Sequence, residues 1–276
     1  MNLKNFFDNV QDNAENTYKC IDDYIGDNGL VYCAKCNTPK QCRVHMPWGD
    51  VMPYIKCKCE KEKAEKKKEE RLQLERKLKI ERVRSYCFPE DKMLNMTFAN
   101  DDGTNQNITD IAYKYCNNFD RIHGKGILFY GITGTGKTYY ACEIANDLID
   151  KGYTARFTNF ARILNELQNS FDRQDYIDGL CDYDLLIIDD LGIERNTTYA
   201  LEQIYNVINC RNMSGKSMIV TTNLDIDKIK NPDNIECKRI YDRILESCLP
   251  VKVAGVNHRR KNIIDNFNEM KNILGL

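Results

Sequence analysis

The feature that most constrains this chain is an eight-residue run, Gly131-Ile132-Thr133-Gly134-Thr135-Gly136-Lys137-Thr138, fed directly by the apolar stretch Gly126-Ile127-Leu128-Phe129-Tyr130. It matches GxxxxGK[ST] in full, a coincidence expected in roughly one chain in a hundred of this size at average residue frequencies. The glycines let backbone N–H groups turn inward around phosphate oxygens. Lys137 is spaced to reach the β and γ phosphates, and the Thr138 hydroxyl to bind Mg²⁺. Beyond it, Ala141, Ile144, Ala145 and Leu148 recur at helical spacing, so the phosphates are expected at a helix N-terminus. A buried strand, a phosphate-cradling turn and a helix follow, with ATP as the expected ligand.

A second element completes that chemistry. Asp184-Leu185-Leu186-Ile187-Ile188-Asp189-Asp190 is an apolar strand that ends in two carboxylates, the Walker B pattern. Asp189 is expected to hold the Mg²⁺ shell, through water or directly, and Asp190 to orient and polarise the attacking water as general base. A further strand, Ser217-Met218-Ile219-Val220-Thr221-Thr222, ends at Asn223, a polar residue placed to contact the γ-phosphate or the lytic water. Strands near 127, 155, 186 and 219 alternate with helical patterns, which predicts an α/β fold with a parallel sheet wrapped by helices and a ligand at the strand C-terminal ends.

At 276 residues the chain has room for this core and a second module. Hydrophobic residues at 42% and charged residues at 29% argue against disorder of the whole chain. The net charge of -1 gives no global attraction to nucleic acid, so any such contact must come from local patches. No run of about 18 apolar residues occurs, and the stretch from Met1 to Asp27 is polar and acidic. The expectation is a cytoplasmic protein, neither secreted nor membrane-spanning.

Thirteen cysteines is an odd and high count. Cys142, Cys181, Cys210 and Cys248 lie singly in apolar patterns and read as small hydrophobes of a reducing compartment, where clustered cysteines signal metal. One cluster stands out: a CxxC at Cys33 and Cys36 and a CxC at Cys57 and Cys59, with Pro39, Pro47, Gly49 and Pro53 between. Four thiolates satisfy the tetrahedron of structural Zn²⁺, although Cys42 and His45 fall inside the loop and either is placed to substitute for one of the four. From Glu60 to Arg84 the chain is almost wholly Lys, Glu, Arg and Gln, which reads as an exposed helix carrying i to i+4 pairs such as Glu62 with Lys66 and Glu75 with Lys79. Its C-terminal half is enriched in positive charge. These boundaries predict a zinc-binding, partner-binding module over 1–60, a charged helical connector over 61–94 and an ATPase domain over 95–276.

The run GITGTGKT, the segment LLIIDDLGIE, the tetrapeptide VTTN and the late stretch Arg239-Ile240-Tyr241-Asp242-Arg243 together resemble the AAA+ ATPases. Within them the resemblance is to the bacterial and phage replicative helicase loaders of the DnaC and DnaI type, related to IstB-like ATP-binding proteins, over roughly residues 95 to 262. It implies that Arg243, supported by Arg239, is an arginine finger reaching the nucleotide of a neighbouring subunit. It also implies that Gly255-Val256-Asn257-His258-Arg259 is a sensor-two segment in which Arg259 contacts the γ-phosphate. The implied partners are a replicative helicase gripped by the N-terminal part, single-stranded DNA, and further subunits in a self-assembled or helicase-templated oligomer. For the DNA contact, Phe157, Phe160 and Arg162 are candidates, with core packing the stronger reading of the two aromatics. Three other functions fit parts of the pattern: an IstB-type transposition helper, a non-hydrolysing ATP-binding adaptor, and a zinc-dependent nucleic-acid-binding regulator.

Overall fold

The computed structural model describes residues 22–122, 124–192, 197–258, 267 and 270–274. Contacts divide the chain into two compact units, one up to residue 78 and one from residue 79 onward. In the first, β1 (Tyr24–Ile25) pairs antiparallel with β2 (Val31–Tyr32), and β3 (Val44–Met46) with β4 (Gly49–Val51). Strands this short bury almost nothing, and Cys33, Lys40 and Cys57 are the buried residues among those described here. Lys40 is neutralised by Asp23 at 2.7 Å and by Glu60 at 3.4 Å, so its burial carries no unpaired charge.

Helix α1 (Lys58–Cys87) covers the charged stretch. Along most of its length it has no apolar face, with Leu72, Leu74 and Leu78 all exposed, and only its last turns pack Ile80, Val83 and Cys87 on a core. Glu75 turns back to Arg71 at 2.9 Å rather than forward to Lys79, and Glu62 with Lys66 does not close to ion-pair distance. On an exposed helix the competing pairs differ by only about 0.2–0.5 kcal/mol, so spacing alone does not select among them.

In the second unit, short 3-10 turns (Asp91–Asn95 and Phe98–Asn100) lead to α2 (Gln106–Asn117) and α3 (Phe119–Ile122). Then follow β5 (Gly126–Tyr130), α4 (Lys137–Lys151), β6 (Ala155–Asn159), α5 (Phe160–Asn169), α6 (Arg173–Asp182), β7 (Leu185–Leu191), α7 (Thr198–Met213) and β8 (Ser217–Thr222). The fold closes with α8 (Ile226–Lys230), α9 (Ile235–Ser247) and β9 (Cys248–Lys252). The sheet order is β6-β7-β8-β5-β9 and every pairing is parallel. The four strands expected near 127, 155, 186 and 219 are present. The fifth, β9, holds Pro250 within five residues, which sequence reading treats as a strand breaker; it is tolerated because β9 lies at the sheet edge.

Side chains alternate between two cores, as a sheet covered on both faces requires. Ile127, Phe129, Leu185, Ile187 and Ile219 face a cluster built with α4 and α2, where Ala141, Ile144, Ala145 and Leu148 are fully buried. Leu128, Leu186, Ile188, Met218 and Val220 face a second cluster with α5, α6, α7 and α9. Each fully buried aliphatic side chain contributes about 1.5–3 kcal/mol. Phe157 and Phe160 belong to these cores, at 3% and 1% exposure, while Arg162 is exposed. No described helix is long and apolar enough to cross a membrane.

Arg211 of α7 is fully buried, with the Asp184 carboxylate near enough to favour its charge and backbone carbonyls as its hydrogen-bond partners. Its Nη1 donates to the carbonyls of Cys181 (3.0 Å) and Tyr183 (2.6 Å), and its Nη2 to those of Asp184 (2.9 Å) and Ser217 (2.5 Å). Burial lowers its pKa to about 10, which leaves it charged at neutral pH. One guanidinium therefore staples the end of α6 to the starts of β7 and β8, the two strands that carry the carboxylates and Asn223. Arg211→Met is expected to strip four buried acceptors of their donor and to cost about 3 kcal/mol or more. A urea midpoint equivalent to under about 1 kcal/mol of loss would show the staple to be dispensable.

Candidate nucleotide site and cysteine cluster

Parallel alignment brings the C-terminal ends of β5, β6, β7 and β8 level. Tyr130 pairs with Thr222, and Asn159 with Asp189. The chain switches sides of β5 between β8 and β9, and the crevice at such a switch point is where α/β sheets bind ligands. A cavity of about 730 Å³ opens there, lined by Thr133, Gly134, Gly136, Lys137, Thr138, Asp189, Asp190 and Asn223 among others.

The loop from Gly131 to Gly136 is shaped for phosphate. Gly134 and Gly136 hold φ of 88° and 95°, the left-handed region that other residues adopt at a cost, and a Cβ on Gly134 would lie 2.2 Å from the Asn257 side chain. Thr135 braces the turn by donating to the Ile132 carbonyl at 2.9 Å. Lys137 is 5% exposed, and its ammonium donates to the carbonyls of Gly131 (2.9 Å) and Ile132 (2.8 Å). The cation is thus held inside the concavity, with α4 starting at Lys137 and its N-terminus facing the same space.

Thr138 Oγ1 donates to Asp189 Oδ1 at 3.0 Å, and Thr221 Oγ1 donates to the same oxygen at 2.6 Å. Burial pushes the Asp189 carboxyl above the usual carboxylate range, partly offset by those hydroxyls. A buried carboxylate facing a Thr hydroxyl beside a phosphate loop is a donor set of hard oxygens suited to Mg²⁺. Asp190 follows at φ 56°, where the β7–β8 register slips between Ile188 and Leu191. Its N–H donates to Thr221 Oγ1 (3.0 Å), and Asn223 Nδ2 donates to its Oδ1 (3.4 Å). The slip turns consecutive residues to different tasks: Asp189 inward against Thr138, Asp190 toward Asn223.

Arg243 and Arg239 lie on α9, away from this cavity. Arg243 pairs with Glu246 at 2.8 Å and retains 41% side-chain exposure. Arg259 lies outside the described residues. Its predecessors bind the loop directly: Asn257 Nδ2 donates to the Thr133 carbonyl at 3.0 Å, and the His258 N–H to the Gly134 carbonyl at 2.9 Å. His258 also faces Asp102 at 3.6 Å, and Asn105 Nδ2 reaches the Ala254 carbonyl at 2.7 Å. Segment 254–258 therefore clasps the phosphate loop and is itself held by segment 102–105. Sequence reading missed Asp102 and Asn105; these are polar loop residues whose partners lie 149 positions away in the case of Asn105, and no local pattern marks them.

In the first unit, the sulfurs of Cys33, Cys36, Cys57 and Cys59 all lie within 4.8 Å of one another. The Asn37 turn at φ 52° folds the CxxC back on itself, its N–H donating to the Cys33 carbonyl at 2.8 Å. Thr38 Oγ1 touches Cys36 Sγ at 3.0 Å and accepts from the Lys58 N–H at 3.0 Å, while Glu60 accepts the Cys57 N–H at 3.2 Å and the Tyr54 hydroxyl. These contacts orient the sulfurs as outer partners orient metal ligands. His45 is instead paired with Asp50 on the exposed β3–β4 hairpin, and Cys42 stands apart from the four.

The family described as IstB-like ATP binding protein matches residues 58–265. The replicative helicase loader DnaI of Bacillus subtilis (strain 168) is 24% identical over 207 residues, which cover 68% of this chain and 66% of that protein. The chain thus spans just under two thirds of that relative's length. A crystal structure of DnaI superposes with a TM-score of 0.53 at 22% identity, covering 64% of this chain and 99% of that one. A crystal structure of the DnaC helicase loader gives 0.52 at 22% identity, covering 60% and 100%. These two likenesses speak to the fold.

Proposed function

This chain belongs to the family of IstB-like ATP-binding proteins, and on that premise we propose that it is an ATP-hydrolysing loader that places a replicative DNA helicase on single-stranded DNA. The observation that carries the ATP chemistry is the convergence of Lys137, Thr138, Asp189, Asp190 and Asn223 on one cavity at the strand ends. The relative named a replicative helicase loader supports the choice of partner.

In this reading the N–H groups from Gly131 to Thr138 hold the phosphates, and Lys137 leaves its carbonyl partners for the β and γ oxygens. Thr138 and Asp189 hold Mg²⁺, which would neutralise charge on those oxygens. Asp190 takes the proton of the attacking water and Asn223 fixes that water's orientation. Arg259 adds a γ-phosphate contact. Arg243 of a neighbouring subunit completes the site, so binding favours assembly and hydrolysis favours release. Residues 1–60, with Zn²⁺ on the four cysteines, form the helicase-gripping module; residues 61–94 connect it to an AAA+-type ATPase domain over 95–276.

The test is co-purification of the full chain with the replicative helicase of the same source in ATP and Mg²⁺, repeated without residues 1–60. A stable complex that is lost on truncation is the expected result. No complex under any nucleotide condition would transfer the assignment to a transposition helper of the same family and leave the ATP site untouched.

A further inference from the structure

The surface formed by α7 and α9 carries a cluster that the nucleotide cavity does not use. Tyr205 projects from α7, the helix that follows the Walker B strand, and stands half-buried between Arg239 and Arg243 of α9. The Arg239 guanidinium carbon sits 4.6 Å from the centre of the Tyr205 ring, within cation–π range. The Arg243 and Arg239 guanidiniums beside the phenol lower its pKa. Behind them, Asn212 Nδ2 of α7 donates to the Arg243 carbonyl at 2.7 Å, fixing the backbone from which that side chain springs. Glu246 holds the other side of the Arg243 guanidinium at 2.8 Å.

Long exposed arginines ordinarily sample many rotamers, and ordering one costs conformational entropy. Here one is held over an aromatic ring and the other against a carboxylate on its own helix, and both remain open to solvent. The arrangement resembles a loaded anion clamp: two guanidiniums one turn apart on α9, one ordered over the Tyr205 ring and the other against Glu246. We propose that Tyr205 is the positioning residue that presents Arg239 and Arg243 as a paired clamp for the terminal phosphate of a nucleotide bound to a second copy of this chain. The inference rests on the trans-acting finger of the proposed function and adds the element that sets its geometry. It also gives a physical route between sites, because α7 joins the Walker B strand at one end to the clamp along its length. Phosphate binding fits the chemistry, since planar guanidiniums match phosphate oxygens in a bidentate way.

The experiment mixes two full-length variants and follows phosphate release with ATP, Mg²⁺ and a poly-dT oligonucleotide. An Asp190→Asn protomer keeps its clamp but is expected not to hydrolyse; an Arg243→Ala protomer keeps its own nucleotide site but lacks the clamp. Mixing is expected to restore turnover, with the clamp of the first entering the site of the second. Adding Tyr205→Ala to the Asp190→Asn protomer is expected to cut the restored rate at least tenfold, and Tyr205→Phe, which keeps the ring under Arg239, to cut it less. Placed in the Arg243→Ala protomer, where the clamp is already broken, Tyr205→Ala adds no further loss. Unchanged melting midpoints of the Tyr205 variants separate this from misfolding. If the Tyr205→Ala donor restores turnover as well as its parent, Tyr205 has no positioning role. If no mixture restores turnover, the trans-acting finger itself fails and the inference fails with it.

Discussion

Asp190→Asn is expected to leave ATP binding unchanged while lowering turnover by about 10²–10⁴, the usual contribution of a positioned general base. The choice of Asn follows from the backbone. Asp190 sits at φ 56°, a region that Asn and Asp adopt readily and that costs other residues about 1–2 kcal/mol. Asn therefore keeps the β7 register slip, the N–H bond to Thr221 and the approach of Asn223, and changes only the ability to accept a proton. Asp190→Ala would mix loss of the base with strain at the same point. The measurement is phosphate release with DNA and helicase present, set against nucleotide titration of the same variant. Turnover within a few-fold of the parent would remove Asp190 from the chemistry. A parent protein that binds ATP but shows no turnover would establish the non-hydrolysing adaptor instead.

The two carboxylates illustrate how far the sequence could be read. The strand that carries them and the strand at 127 are legible because four consecutive apolar residues leave few alternatives once a phosphate loop follows one of them, and the shorter apolar patterns at 155 and 219 are legible from their alternation with helical segments. That adjacent acids take different roles is legible, but the positive φ of Asp190 and the register slip against β8, a relation between segments some thirty residues apart, are not. The same holds for Arg211. In sequence it is one more charge near the end of a helix, and only the fold shows four carbonyls converging on it. Asn105 and Asn257 act through hydrogen bonds to backbone far away in the chain, and Asp102 faces the distant His258 side chain, where residue type carries no address. Tyr205 has the same character, since its two arginines come from another helix. Spacing did identify four cysteines, but it left Cys42 and His45 open as substitutes, because ligand choice depends on how a loop of about twenty residues turns. The Asn37 turn brings Cys33 and Cys36 together with Cys57 and Cys59, while the β3–β4 hairpin directs His45 outward to Asp50.

Metal removal should therefore act on one unit and spare the other. Among the described residues before 79, the buried side chains are those of Cys33, Lys40 and Cys57, and the strands are two or three residues long. So little apolar area is withdrawn from water that the hydrophobic effect alone falls far short of the cost of ordering the chain, about 1–2 kcal/mol per residue for the backbone. A structural Zn²⁺ bound to four thiolates would add its binding free energy to the folding of this unit. Cys57→Ser, which replaces the most buried of the four sulfurs at 1% exposure, is expected to abolish stable zinc binding and to unfold the segment around it. Limited proteolysis should then cut within residues 22–57, and helicase co-purification should be lost. Nucleotide binding should persist, because the cavity is built wholly from residues 89–258. Metal analysis of the parent, purified without chelators, is expected to give about one equivalent of zinc. Substantially less, or a Cys57→Ser protein as protease-resistant as the parent, would mean that the Lys40–Asp23–Glu60 network and the hairpins hold the module without metal.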